Sequence, residues 1–543
     1  MSLLSLLLEL LLTLFVVRQL LIWLGRRLLV FFHWLRKTKL ISTIIKVWNS
    51  LPGLPQRIFS YLVQVWHHLS HFSRNLIINL IIGLSLTWVL LTFFHDLPWL
   101  REPEDEGMDL VMQLTQGIIP PVQEKNIPPL VFLDINDETY RQWGEPMFTP
   151  RNHVKDMIIA AVEAPARLVI VDIDLSRKTP IDGLGLSSKL HPYDQDLYDY
   201  LENYSISCQK KANKESCPTI ILLRSFSNKD KLIGTIPPIP ILKPRESFLD
   251  EAVKSSTYVQ WASALFFSSA RDQVVRRWWL WQPICTQQQE LSVIPSIELL
   301  SAALIKNDIP QPKLIRLLNA SLDKPQNCSS QYYQPSQTGE PIKIGKLTIN
   351  PDTLIDIRQR ITYKIPWFTH EKDYCGKHFK SYVLTPVQAH NYAECLKEFD
   401  KSSIFKDSIV VIGSSHQESG DIHLTPLGKM PGAMIIINAI YSLLQHGTIE
   451  PIAIWQQLLI QMILIILICF LSKKFVHLLV KRLQFSSNVL CFFSLISSAF
   501  ILVLMLPISI MIFLYYDIWV DFVIPLILVQ LNQMVATFIN LRK

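Results

Sequence analysis

Uncharged apolar runs on both sides of a polar body constrain this chain more than anything else in it. Leu76 to Phe94 carries no charged residue and is long enough to cross a hydrocarbon core of roughly 30 Å. Ala453 to Leu471, Val489 to Tyr515 and Ile518 to Phe538 form a second group of such runs. Between the groups the composition is that of an ordinary globular domain, although the whole chain is 49% hydrophobic. The predicted organisation is a basic, Leu-rich helical segment over 1–75, a transmembrane helix over 76–94 and an outer domain over 95–450. Transmembrane helices over 453–471, 489–515 and 518–538 follow. Because the chain stops at Lys543, just after the last run, any cytoplasmic output is expected to belong to another polypeptide.

Charge predicts the orientation. Arg18, Arg26, Arg27, Arg36, Lys37, Lys39, Lys46, Arg57 and Arg74 precede the first run, against the single acid Glu9. Asp96, Glu102, Glu104, Asp105 and Glu106 follow it, opposed only by Arg101. The bias of Lys and Arg to the cytoplasmic side puts the N-terminal segment inside and the central body outside. Lys473, Lys474, Lys481 and Arg482 place the next loop inside, and the acidic loop Tyr515–Asp521 falls outside. The net charge of +7 therefore reads as membrane topology and attraction to anionic lipid, not as nucleic-acid binding. Residues 3–25 are rich in Leu, but Glu9 and Arg18 each cost about 2.5–3.5 kcal/mol at a helix centre. An interfacial or partner-binding helix is the preferred reading there, with a fifth span as the alternative. Few ionisable groups fall inside the runs (Asp517 and Asp521 lie at an edge), which argues against a pump or transporter.

Cysteine usage agrees with an oxidising location for the body. Cys208, Cys217, Cys285, Cys328, Cys375 and Cys395 all fall in the outer domain, and Cys469 and Cys491 fall in apolar runs. An even set confined to one region suggests disulfides. Connectivity is open at this level; pairing in chain order, Cys208–Cys217, Cys285–Cys328 and Cys375–Cys395, is the expectation, and scattered thiols are the alternative. No pair has close zinc-ligand spacing, so no metal site is expected.

Within the body, Leu130–Ile135, Arg167–Ile173 and Thr219–Leu223 read as buried strands, alternating with helices over Arg151–Val162 and Asp194–Tyr204. Ile409–Ile412 is a late strand, and Met434–Leu444 is a helix leading toward the next apolar run. This order predicts an α/β domain with a mixed, largely parallel sheet.

Three stretches carry a resemblance. They are Val131-Phe132-Leu133-Asp134-Ile135-Asn136-Asp137-Glu138 with Trp143-Gly144 and Pro150-Arg151, and Arg167 to Leu175 with Asp194 and Asp196 downstream. The third runs Val410-Val411-Ile412-Gly413-Ser414-Ser415, then Asp421, Thr425-Pro426 and Pro431-Gly432. Together they resemble the second class of CHASE domains, the cyclase/histidine-kinase-associated sensory extracellular domains of bacteria, over roughly Val131 to Gly447. Arg276-Arg277 before Pro295-Ser296 adds to the likeness. The sequence departs from that pattern at Lys364-Ile365-Pro366, Asp272-Gln273 and Asn438-Ala439. The resemblance implies an α/β sensor domain facing the periplasm or exterior, anchored in a bacterial inner membrane by one helix before and three after. Receptors of this kind are usually homodimers.

Asp134, Asp137, Asp172, Asp174, Asp194 and Asp196 sit at predicted strand ends or helix starts, where ligands of open α/β sheets bind. With Arg151 and Asp421, the first four form the candidate ligand-binding set, suited to an amine or a cation. Turn formation and helix capping are the competing roles. Ser414, Ser415, His416, Asp421 and His423 supply the residue types of a hydrolase, but the Gly-x-Ser-x-Gly frame is missing, so no catalytic residue and no cofactor are assigned. Arg276-Arg277-Trp278-Trp279-Leu280-Trp281 is read as a strand with Trp in the core and Arg outside; a stacking or interface surface is the alternative. The expected function is a non-enzymatic receptor that detects an extracytoplasmic signal and passes it to a separate effector. A scaffold subunit binding envelope proteins is the alternative.

Overall fold

The computed structural model describes residues 98–115, 127–181, 189–210, 217–227, 239–320 (save 255 and 308), 328, 332–333, 342–344 and 347–349. It also describes 359–367, 375–376, 381–387, 404–445, 447–449 and 453–483, with scattered positions between 69 and 92. The chain divides into two compact units, one of residues 1–107 with 452–543 and one of Met108–Pro451.

Short apolar runs rich in Val, Ile and Leu become the strands of the second unit. They are β1 (Leu130–Ile135), β2 (Leu168–Val171), β3 (Thr219–Leu223), β4 (Ile239–Pro240) and β5 (Val259–Ala262). Next come β6 (Phe266–Ser268), β7 (Val275–Trp278), β8 (Trp281–Cys285), β9 (Leu291–Pro295), β10 (Tyr332–Tyr333), β11 (Ile342–Ile344) and β12 (Leu347–Ile349). The last are β13 (Cys375–Gly376), β14 (Ser381–Leu384), β15 (Ile409–Ser414), β16 (Ile422–Thr425) and β17 (Gly428–Pro431). The main sheet runs β13-β14-β1-β15-β2-β3-β5, with every pair parallel except the edge pair β13–β14. The other strands pair antiparallel as β4–β10, β6–β7, β8–β9, β11–β12 and β16–β17. The region 242–350 thus supplies strand β5 and three hairpins, β6–β7, β8–β9 and β11–β12.

A parallel sheet is covered on both faces, which is why β1, β2 and β15 read as continuous rather than alternating apolar runs. The helices among the described residues include α1 (Pro98–Thr115), α2 (Asp137–Gln142), α3 (Arg151–Glu163), α4 (Pro192–Lys210) and α5 (Asp250–Lys254). They continue as α6 (Ile297–Asn307), α7 (Gln311–Ala320), α8 (Gly432–Gln445) and α9 (Ile454–Leu483). Val131, Leu133, Ile135, Val169, Val171, Ile220, Leu222, Val410 and Ile412 pack in one core with Val154, Met157, Ile158 and Ala161 of α3 and Leu197 and Leu201 of α4. The opposite face is covered by α8, whose residues from Gly432 to Leu444 are all buried. The helix expected over Met434–Leu444 is formed, as an enclosed layer packed on β1, β15 and α6. Its sequence is apolar all round, as enclosure on every side requires.

Two of the expected disulfides are formed, Cys208–Cys217 and Cys285–Cys328. Cys375 lies in β13, and its expected partner Cys395 is outside the described residues. Burial of Trp278, Trp279 and Trp281 agrees with the strand reading of that segment, but Arg276 and Arg277 are also buried, 6% and 8% exposed, and do not face outward. For Arg276 the reason is a buried carboxylate, described below.

In the first unit, α9 covers the expected span at 453–471. Among the described residues, no helix is long and apolar enough to cross a membrane. Most of 1–75 and 76–94, and all of 489–515 and 518–538, lie outside them.

Candidate functional site at the switch point of the sheet

β1 and β15 are neighbours, yet the helices that follow them, α3 and α8, cover opposite faces. The chain therefore leaves β1 and β15 toward opposite faces of the sheet. In open α/β sheets ligands bind in the crevice beyond the carboxyl ends at such a point.

Strand register sets what lines that crevice. Asp134 of β1 is opposite Gly413 of β15, and the residue after β2, Asp172, continues the same row because Val171 is opposite Ile412. Side chains alternate along a strand, so both carboxylates share the α8 face with Gly413. A Cβ on Gly413 would lie 2.7 Å from that of Ala433 and 3.6 Å from that of Asp172. Glycine there lets the first turn of α8 settle onto the strand. Gly432 needs the same freedom, since a Cβ would fall on the Asp421 carboxylate, while its amide donates to the Asp421 carbonyl at 2.9 Å. The first turn of α8 thus lies directly against the Asp421 carboxylate.

The loop after β15 closes one side. Ser415 and His416 amides both donate to the Ile135 carbonyl (3.2 and 3.3 Å), and the Ser415 hydroxyl donates to Asp134 Oδ2 at 2.7 Å. Asp134 is 2% exposed. His416 stacks on Tyr140, with ring centroids 4.1 Å apart, and burial pushes its imidazole pKa down. Asp137 accepts from the Gln417 amide at 3.0 Å, and the Asn136 side chain caps α2 by accepting from Thr139.

The other candidate residues have local partners. Arg151 donates to the carbonyls of Thr149, Asp174 and Arg177 at 3.2–3.3 Å and lies 3.9 Å from Asp194. Asp194 in turn accepts from the Thr179 amide and hydroxyl at 2.6 and 2.7 Å. These two residues therefore pin the loop after β2. Asp174 forms a turn with Ser176 and pairs with Arg245 at 3.3 Å; the Ser176 contacts lead in holding its carboxyl below the usual range against the opposing effect of burial. Asp196 pairs with Lys155 on the surface.

The hydrolase residue types separate. Ser415 donates to Asp134, His416 stacks on Tyr140, and His423 pairs with Asp421 at 3.0 Å. Among the described residues, no three His, Cys, Asp or Glu side chains are arranged to hold a metal ion. Of the candidate set, then, Asp134 and Asp172 share the crevice row, Asp421 lies at the adjoining helix start, Asp137 binds the overlying loop, and Arg151 and Asp174 shape the next loop. Sequence reasoning missed Tyr140 and the contact of Gly413 with Ala433; the Pro431-Gly432 pair at the helix start was the available signal for the latter.

An α/β domain with a largely parallel sheet, carrying Asp134 and Asp172 on one face, is the class that the fold defines. Residues 84–472 match the model of the CHASE2 domain, and the chain belongs to this family of extracellular sensory domains. No curated protein and no solved structure matches the chain.

Proposed function

We propose that the protein is a non-enzymatic receptor, anchored in a bacterial inner membrane with its CHASE2 domain outside, and that it senses a small cationic or amine-bearing ligand. The observation that carries this reading is the row Asp134–Gly413–Asp172 beneath the first turn of α8. Two carboxylates on one face, at the point where such sheets bind ligands, suit a positively charged group. Family membership supplies the sensory role. The Lys and Arg asymmetry about residues 76–94 supports the outward orientation, with a bilayer around the apolar runs. A homodimer that passes its state to a separate cytoplasmic or membrane effector completes the reading, by shifting the population of two domain arrangements.

The test is thermal unfolding of the full-length protein in mild detergent against amino acids, polyamines and divalent cations. A ligand that raises the midpoint for the wild type and not for Asp134→Asn or Asp172→Asn supports the site. Equal shifts in all three proteins would overturn it. Affinity capture of the same preparation tests the output: an effector that comes with it supports signalling, whereas envelope proteins in fixed stoichiometry favour a scaffold.

A further inference from the structure

Away from the switch point, one buried carboxylate holds two arginines. Asp109, in the last two turns of α1, accepts from Arg276 Nε at 2.9 Å and from Arg360. Arg276 also lies 2.8 Å from the same Asp109 oxygen through Nη2. The guanidinium groups are 7% and 0% exposed, and the Asp109 side chain is 13% exposed. Arg276 has a second carboxylate, Asp272, bound by two hydrogen bonds at 2.9 and 2.7 Å and itself 37% exposed.

The segment that bears Asp109 is seated on one side only. Met108, Val111 and Met112 are buried, whereas Leu110 and Leu114 are 44% and 40% exposed. In the chain this segment follows the expected span at 76–94.

Arg360 belongs to an extended strap, 360–365, that runs between β7 and α8. Ile361 donates to the Arg276 carbonyl at 2.9 Å, and the Tyr363 hydroxyl to that of Val275 at 2.9 Å. On the other side, Asn438 accepts from the Lys364 and Ile365 amides (3.0 and 2.9 Å), and Ser442 accepts from the Thr362 amide at 3.2 Å. The strap thus joins α8, whose first turn roofs the carboxylate row, to the arginine that grips Asp109.

We infer that Asp109 is the releasable end of an ion-pair latch that docks Met108–Thr115 on the strap and on β7. Losing one partner of a buried pair is costly when it leaves a charge uncompensated. Asp272 lowers that cost at one of the two arginines, because Arg276 keeps a carboxylate when Asp109 departs, and the cost of release falls on Arg360. Asp272 and Asp109 compete for one guanidinium, so the first sets how tightly the second is held. The use of this latch in signalling rests on the sensor reading above; its existence rests on the ion pairs alone.

Hydrogen exchange by mass spectrometry on the full-length protein in detergent tests it without any ligand, so its outcome is independent of the ligand test. Asp109→Asn is expected to speed exchange in Met108–Thr115 about tenfold or more while leaving Ile409–Ser414 unchanged. Asp272→Asn gives Arg276 wholly to Asp109 and is expected to slow exchange in Met108–Thr115. Unchanged exchange in both variants, or faster exchange over the whole unit in either, would overturn the latch and leave a purely structural cluster.

Discussion

A carboxyl group enclosed on all sides cannot ionise cheaply, and Glu298 in the first turn of α6 is such a group. It is fully buried, and desolvation is the leading cause that pushes its pKa up to about 8. The folded-state pKa lies above the unfolded one, so Glu298 contributes stability that is complete below the unfolded value near 4.5 and is lost as pH rises through about 8. Unfolding free energy should therefore fall by roughly 1 kcal/mol per pH unit across that window. Glu298→Gln should flatten the slope. Denaturant titrations at a series of pH values check this, and a slope unchanged by the substitution would contradict it. At the same scale, burial of Arg276 and Arg360 was not legible locally, because their shared partner Asp109 is 167 and 251 residues away.

The element that most depends on one polar residue is α8. Its sequence is apolar on every side, yet Asn438 lies within it at zero exposure. The side chain is fully used: Oδ1 accepts two strap amides, and Nδ2 donates to the Ile365 and Met434 carbonyls at 2.9 and 3.0 Å. Asn438→Leu keeps the volume but leaves two buried amides without their acceptor. The expected loss is about 2–4 kcal/mol, together with faster exchange at Lys364 and Ile365. Chemical denaturation of the purified protein measures the first. A loss below about 0.5 kcal/mol would mean that water takes over the side chain's role. Patterning located this helix and came within two residues of its start, but could not assign its layer. Enclosure and membrane burial select the same apolar residues.

At the scale of the whole molecule, two disulfides staple the unit Met108–Pro451. Cys208–Cys217 fastens the end of α4 ahead of β3, and Cys285–Cys328 spans 43 residues of chain. Each is expected to contribute about 2–4 kcal/mol. Thermal unfolding with and without a reductant should show a lower midpoint when reduced, and Cys208→Ser with Cys217→Ser should reproduce part of the drop. Equal midpoints would show that both bridges are mechanically idle. The cysteine confinement that suggested an oxidising compartment and the charge asymmetry that suggested an outward-facing body are independent lines to the same orientation.

Local composition by itself located four strands of the main sheet, β1, β2, β3 and β15, and the helices α3 and α4, but not β5, β13 or β14. β1 and β3 have the bounds expected from Leu130–Ile135 and Thr219–Leu223, because a buried parallel strand must be a short apolar run ended by turn residues. The motifs also placed Asp134, Gly413 and Gly432 near chain reversals. Only the tertiary structure decided which of these meet. Insertion of β15 between β1 and β2 puts Asp134 and Asp172 in one row around Gly413, and it pairs β15 with a segment 279 residues away on one side (Leu130↔Ile409) and 241 on the other (Leu168↔Ile409). Whether an arginine is buried or exposed depends on where a distant carboxylate arrives, and that distance in the chain carries no local periodicity to read.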